Sequence, residues 1–142
     1  GLPRTWPRRP PLALDWPGVV FVLCAAAAPC GHLGDIALRR AEVQAAPAGR
    51  EENVKAVVSR VLLGEADAGI VYASDVRAAG DRAEGVPISG ADPELRAKYA
   101  AAVVRQGRRA GDASAWIDFL LTPTGRRAFR AAGFGPAGGP HP

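Results

Sequence analysis

The chain has 142 residues, of which 48% are hydrophobic, so it can bury a core of its own and does not have the composition of a disordered protein. A net charge of +4 and a pI of about 9.7 would suit a nucleic-acid partner. The arginines are scattered, however, and no aromatic residues interleave with them for base stacking, so we expect no nucleic-acid binding. No apolar run approaches the roughly 20 residues that span a bilayer.

Residues 1–16 are predicted to form a proline-rich, irregular lead-in, because prolines resist both helix and sheet hydrogen bonding. Within it, residues 12–16 could be the remnant of a helix or a loop before the first strand. The start of the chain has neither an initiator methionine nor the hydrophobic stretch of a signal peptide. We therefore expect a mature, processed or truncated product.

The first predicted strand covers residues 19–24, a continuous apolar and β-branched run of the kind found in parallel sheets that are covered on both faces. Residues 25–29 are predicted as a loop. A helix should begin at Gly31 and carry Arg39 and Arg40 in its last turn, where cations complement the helix dipole. Residues 44–49 then form a connector that could include a short strand.

The strongest helix signal follows Glu51 and Glu52, which we place in its first turn. Apolar residues recur there with helical spacing, at Val54, Val57, Val58, Val61 and Leu62. Gly64 suits a left-handed helix end. Residues 68–72 are predicted as a short strand, and a brief helix capped by Ser74 or Asp75 should end at Gly80.

The last third of the chain is predicted to open with an extended crossing at residues 86–88. Residues 99–104 are a candidate strand, although residues 94–102 can also be interpreted as a helix. A helix over residues 113–121 should turn its large apolar side chains inward, namely Trp116, Ile117, Leu120 and Leu121.

Thr122 is predicted to cap the final helix, with Pro123 at its first position and residues 126–132 as its body. Gly133 and Phe134 fit a Schellman ending with its hydrophobic contact. The chain therefore alternates strands with helices, which indicates an α/β fold.

In α/β folds, ligands bind at the carboxyl ends of the strands, next to helix N-termini. Two strand-to-helix junctions, at Cys30 and at Val54, would offer free N–H groups to an anion, and Tyr72 would add a hydroxyl. Such neutral donors suit a small tetrahedral oxyanion. The alternative is that Tyr72 only packs at a strand end, that Val54 only begins a core stripe, and that Asp75 is a cap.

Cys24 and Cys30, six positions apart, could form a local disulfide or remain two buried thiols, and the spacing leaves both open. We expect no cysteine catalysis, because Cys30 and His32 are neighbours at i and i+2 and do not face each other on a helix. The sequence therefore indicates a protein that is not an enzyme.

Three segments with these features, residues 22–31, 52–54 and 69–75, resemble the oxyanion-binding parts of molybdate-binding proteins, the solute receptors of molybdate ABC importers. The resemblance implies that Cys30 and Val54 each donate a backbone N–H and that Tyr72 donates its hydroxyl. Residues 116–135 are similar to the closing helices of many solute-binding proteins. Altogether the resemblance covers residues 17–136 and implies a fold like that of type II periplasmic binding proteins.

The resemblance also implies an organisation: a second-lobe α/β domain over residues 17–86, a crossing with the C-terminal helices of the first lobe over residues 87–136, and a tail over residues 137–142. In the family, the first lobe supplies two serine-bearing loops. No segment before Val19 provides them, so we expect the first lobe to be largely missing. Apolar surface at residues 99–104 and 116–121 would then be exposed and would favour self-association.

The implied function is capture of molybdate or tungstate outside the cytoplasm, in the periplasm or at the cell surface, and delivery to the permease subunits of an ABC importer. The resemblance implies no cofactor and no metal ion held directly by the protein. Because several donors would be lacking, we expect weakened binding in this chain. The alternative is a regulatory or interaction module that has the same fold and no role in transport.

Overall fold

A parallel sheet of three short strands organises the first part of the chain. Its strands are β1 (Phe21–Cys24), β2 (Gly49–Glu51) and β3 (Ala68–Gly69), in the order β2-β1-β3, and both neighbours run parallel to β1. All four residues of β1 are buried, because the central strand is covered on both faces. This confirms the predicted buried strand, which begins two residues later than expected.

The computed structural model describes residues 13–15, 17–88 and 93–136. The chain divides into two compact units between Ala97 and Lys98. Of the predicted lead-in over residues 1–16, only residues 13–15 are among the described residues, and the tail over residues 137–142 lies outside them. The predicted boundary between residues 86 and 87 stays a prediction. Among the described residues, no helix has both the length and the apolar character needed to cross a membrane.

Helices cover the two faces of the sheet in the first unit. Side chains of successive strand residues point to opposite faces, so β1 contributes to two clusters. The α1-side cluster consists of Leu14, Phe21, Leu23 and Leu38, the last of which belongs to α1 (Pro29–Arg40). The α2-side cluster consists of Val22, Cys24, Cys30, Val57 and Ala66, with Val57 from α2 (Val54–Leu62). This arrangement confirms the α/β class.

The ends of α1 and α2 differ slightly from the predicted ones. Helix α1 begins at Pro29 rather than Gly31, since the fixed φ of proline suits the first helical position. Glu51 does not lie in the first turn of α2 but ends β2, and Asn53 is the N-cap. Gly64 follows α2 with φ +73°, which confirms the left-handed ending.

The third strand is shorter than predicted and ends at Gly69 rather than Tyr72. Val71 and Tyr72 both pack against the α2-side cluster, and two consecutive residues on one side break the alternation that a strand requires. Tyr72 itself is the N-cap of α3 (Ala73–Ala79), so the prediction of Ser74 or Asp75 as N-cap was wrong. Asp75 lies at the third helical position, and its carboxylate accepts the Tyr72 N–H at 3.2 Å.

Among the described residues of the first unit there are also three single turns of 3-10 helix, at Ala13–Asp15, Gly80–Arg82 and Pro93–Leu95. The first of them is tied to the connector before β2, because Asp15 Oδ1 accepts the N–H groups of Gln44 and Ala45 at 3.0 and 2.7 Å. The turn at Gly80–Arg82 directly follows α3, whose predicted end at Gly80 is confirmed.

The second unit contains the helices α4 (Ala110–Leu121) and α5 (Pro123–Ala131). Residues 99–104 form neither the predicted strand nor a helix, because a strand needs a pairing partner and the described residues offer none there. Helix α4 begins three residues earlier than predicted. Trp116 and Leu121 were predicted inward but are 59% and 48% exposed, and Trp116 stacks instead on Phe119, at 5.5 Å between ring centroids.

The corner between α4 and α5 confirms its prediction in detail. Thr122 is the N-cap of α5, its hydroxyl accepts the Gly125 N–H at 3.2 Å, and Pro123 holds the first helical position. At the other end, Gly133 has φ +88° and the Phe134 N–H donates to the Phe129 carbonyl at 2.9 Å. The two phenylalanine rings meet edge to face, which supplies the hydrophobic contact of a Schellman ending.

Candidate functional site

At the carboxyl edge of the sheet, the chain diverges after the neighbouring strands β1 and β2. Their last residues, Cys24 and Glu51, are paired in register, and the Ala25 N–H donates to the Glu51 carbonyl at 2.7 Å. Beyond this hydrogen bond the chain leads from β1 to α1 and from β2 to α2, and these two helices lie on opposite faces of the sheet. Ligands of open α/β sheets bind at such a divergence.

Helix α1 presents its first N–H groups at this edge. Its first residue, Pro29, has no N–H, and the His32 N–H is bonded to the Ala28 carbonyl at 3.0 Å. The N–H of Cys30, between them, has no acceptor among the described residues. This is the group that the resemblance assigns to an oxyanion.

Gly31 allows α1 to begin so close to the preceding loop. A Cβ atom at this position would lie 2.0 Å from the Ala25 carbonyl oxygen and 2.8 Å from that of Cys24, both of them backbone atoms. No side chain fits there, so Gly31 shapes the site even though the sequence analysis treated it only as the start of the helix. The glycine directly after a strand-to-helix loop was the available signal.

Helix α2 presents a second N–H group. The side chain of Asn53 accepts the Ala56 N–H at 3.1 Å and leaves the Val54 N–H without an acceptor in the described part of the chain. The half-buried side chain of Val54 packs against the α2-side cluster. The side chain of Val54 therefore joins the core, while its N–H is available.

Tyr72 contributes from the third strand-to-helix junction. It is half-buried and packs against the same α2-side cluster, of which Cys30 is a member and against which Val54 packs. The structure thus brings the three residues of the predicted site to one cluster at one edge of the sheet. Contact of Cys30, Val54 and Tyr72 with an anion stays a prediction.

The two cysteines are joined in a disulfide, which resolves the alternative that the sequence left open. Cys24 ends β1, Cys30 is the second residue of α1, and their Cα atoms are 5.7 Å apart. The chain has only these two cysteines, and neither is free. The oxidised protein therefore has no thiol that could act as a nucleophile.

The charged side chains at the end of β2 are paired. Arg50 donates to the Cys24 carbonyl at 3.1 Å and to the Asp35 carboxylate at 2.6 Å. On the other face, Arg60 lies between Glu65 at 2.8 Å and Glu51 at 3.2 Å. The hydrogen bond with Glu65 and the charge of Glu51 raise the pKa of Arg60 above its usual value.

The chemistry of this edge is therefore that of neutral dipoles. The N-terminal ends of two helices and a tyrosine face it, and the ion pairs of β2 are already satisfied internally. In the part of the chain that the structure describes, no three histidine, cysteine, aspartate or glutamate side chains converge as a metal site would require. Such an arrangement can bind an anion through hydrogen bonds.

Comparison with known proteins agrees with this geometry. The family model of bacterial extracellular solute-binding proteins matches residues 11–135. The molybdate-binding proteins ModA of Mycobacterium tuberculosis and Mycobacterium bovis are each 30% identical to the chain over 125 residues, which cover 85% of this chain and 46% of theirs. The chain thus spans about half the length of the curated relatives it matches. No solved structure gave a significant match. With nearly its whole length matched by the family model, the chain belongs to the bacterial extracellular solute-binding proteins.

Proposed function

We propose that this chain forms one side of a molybdate or tungstate site in a receptor that serves an ABC importer outside the cytoplasm. The N–H groups of Cys30 and Val54 and the hydroxyl of Tyr72 are the proposed donors. The observation that carries the proposal is that two helix N-termini with available N–H groups and this tyrosine share one cluster at the carboxyl edge of the sheet. The Mycobacterium relatives are molybdate-binding proteins by name, which supports the choice of ligand.

Neutral donors explain how such a site would select its anion. A tetrahedral dianion that is held only by dipoles keeps its charge while its oxygens are fully hydrogen-bonded, so binding depends on how well the donor positions match its size. A lysine at the same place would strengthen the binding of every anion and weaken the choice among them. Molybdate and tungstate, which are nearly equal in size, should therefore bind better than the smaller sulfate.

The proposed fold places this chain in the second lobe of a type II periplasmic binding protein, together with the segments that return to the first lobe. Further donors would then come from the half of the relatives' length that the chain does not match. Each missing donor to a charged ligand weakens binding by about 1.5–3 kcal/mol. The chain by itself should therefore bind more weakly than a complete receptor. The family match supports a solute receptor rather than the regulatory or interaction module.

Self-association is part of the proposal. Trp116, Phe119 and Leu121 of α4 are 59%, 44% and 48% exposed, which is unusual for large apolar side chains on one short helix. Sedimentation velocity over a range of concentrations tests this. A single monomeric species at all concentrations would contradict it.

Isothermal titration with molybdate, tungstate and sulfate tests the function. Tyr72→Phe removes only the hydroxyl, and Tyr99→Phe is a matched control because Tyr99 is the one other tyrosine and is 71% exposed in the second unit. We expect tighter binding of molybdate and tungstate than of sulfate, and a loss of about tenfold in Tyr72→Phe alone, the equivalent of about 1.4 kcal/mol. A folded chain that releases no heat with any of the three anions would contradict the proposal.

A further inference from the structure

Helix α1, like α4, begins without a side-chain N-cap, whereas α2 and α5 have one. The N-caps of α2 and α5, Asn53 and Thr122, each accept the N–H of the third helical residue. The N-cap of α1 is Ala28, which has no side-chain acceptor, although its φ of −81° and ψ of 147° are those of an ordinary N-cap. No side chain therefore caps the first turn of α1.

The Cys24–Cys30 disulfide is a covalent link at this same turn. It links the last residue of the central strand to the second residue of α1, so it joins the first helical turn covalently to the best-buried part of the sheet. Cys24 is fully buried and Cys30 is 8% exposed. The N–H of this same Cys30 is the donor proposed for the oxyanion.

We infer that the disulfide is a positioning element of the oxyanion site, so that its redox state sets the affinity for the anion. The inference rests on the proposed function and deepens it. With the bond formed, the Cys30 N–H keeps a fixed direction at the edge of the sheet. With the bond reduced, an uncapped first turn frays and the N–H loses that direction, because helix ends open more readily than helix interiors.

The chemistry of the switch requires a thiol reductant such as glutathione. A glutathione thiolate attacks the sulfur of Cys30, the more accessible of the two, and forms a mixed disulfide while Cys24 leaves as a thiolate and takes up a proton. A second glutathione thiolate then attacks the glutathione sulfur and releases Cys30, which is also protonated. In total, two glutathione molecules become one glutathione disulfide, and the protein gains two electrons and two protons.

Thermodynamic linkage gives the inference a distinctive consequence. If the oxidised protein binds the anion more tightly than the reduced protein by some factor, the anion must favour the oxidised form by the same factor. A tenfold difference in affinity corresponds to a midpoint potential that is about 30 mV more negative at saturating anion, since two electrons are transferred. A disulfide that only stabilises the fold would show no such dependence on the anion as long as the reduced chain stays folded, which circular dichroism of the reduced chain checks.

The first experiment measures the midpoint potential of the disulfide in the wild-type chain by titration in glutathione redox buffers, with saturating tungstate, with sulfate and without either anion. Titration calorimetry then gives the tungstate affinity of the oxidised chain and of the reduced chain. We expect the reduced chain to bind tungstate about tenfold more weakly and the midpoint to fall by about 30 mV with tungstate only. Equal affinities and an unchanged midpoint would overturn the inference and leave the proposed function intact. Absence of binding by the oxidised chain would instead overturn the proposed function, and the inference with it.

A rescue variant separates positioning from general stabilisation. In the Cys24→Ala/Cys30→Ala background, Ala28→Ser supplies a side-chain cap that should accept the Gly31 N–H, by analogy with the two caps already present. The Cys30→Ala change keeps the backbone donor. We expect this third substitution to restore part of the tungstate affinity. A folded Ala28→Ser variant that binds no better than its folded parent would contradict the positioning role. A parent that does not fold would also contradict it, because the disulfide would then act on the whole fold rather than on one helical turn.

Discussion

Replacing Val54 by proline tests the proposed site at a single backbone atom. Val54 is the first residue of α2, the position at which proline is most readily accepted, and α1 and α5 both begin with proline in this protein. The preceding residue, Asn53, has φ −153° and ψ 169°, which is the extended conformation that a following proline requires. Val54→Pro should therefore delete the N–H and leave the helix in place.

The expected magnitude follows from the nature of the acceptor. A hydrogen bond to a charged group contributes about 1.5–3 kcal/mol, so its loss should weaken molybdate binding by roughly 10- to 150-fold. Part of the effect of Val54→Pro comes from the loss of the valine side chain, which packs against the α2-side cluster. Val54→Ala is the matched control, because it shortens the side chain and keeps the N–H.

The assay is calorimetric titration of wild type, Val54→Pro and Val54→Ala with molybdate and with tungstate, after circular dichroism has shown equal helix content. We expect Val54→Ala to bind close to wild type and Val54→Pro to bind at least tenfold more weakly than Val54→Ala, the smallest loss expected for a charged acceptor. If the folded proline variant binds within about twofold of the alanine variant, the Val54 N–H does not contact the anion, and the site proposed for α2 is wrong.

Three further predictions concern stability and are checked by denaturant unfolding. Gly31→Ala should lower the free energy of unfolding by about 3 kcal/mol or more, because the Cβ of the new alanine meets backbone atoms. The control Gly111→Ala, at a position with open space around it, should be neutral or stabilise by up to about 1 kcal/mol. Asp15→Ala should lower the free energy of unfolding by about 1 kcal/mol, because two N–H groups lose their acceptor. Asp15→Asn keeps an acceptor oxygen and should retain most of this stability. Thr122→Ala should cost about 1 kcal/mol as a lost N-cap, and Thr124→Ala less than about 0.5 kcal/mol. Equal effects of the two glycine changes, or of the two threonine changes, would contradict these assignments.

The elements that the sequence predicted well are those whose evidence is local. The valines of α2 recur with helical spacing, and Val57 is fully buried where the pattern requires it. Thr122 and Pro123 marked a helix start by their own conformational preferences, and Gly64 marked a helix end. Such signals depend on residues within one or two turns of each other, so no knowledge of the rest of the fold is needed.

The failures depend on distant partners. Residues 99–104 have the composition of a strand, but composition cannot supply a neighbouring strand, and Tyr99 and Val104 are 71% and 74% exposed. The third strand was predicted to be too long for a related reason. Whether Val71 and Tyr72 alternate between faces or share one depends on what packs against them, here the α2-side cluster.

The candidate site shows where prediction of this kind reaches its limit. The sequence located the junctions before α1 and α2, because a buried strand followed by a helix start can be recognised locally. It could not decide between a disulfide and two thiols at Cys24 and Cys30, because a spacing of six residues does not fix the distance between two Cα atoms. Here the end of β1 lies next to the start of α1, which brings the two Cα atoms to 5.7 Å, within the range that a disulfide requires. Nor could it show that the first turn of α1 lacks a side-chain cap. Two of the three proposed donors are backbone N–H groups, whose direction depends on how each helix end is held. The disulfide that the sequence left open is therefore a feature on which the anion affinity of this edge of the sheet should depend.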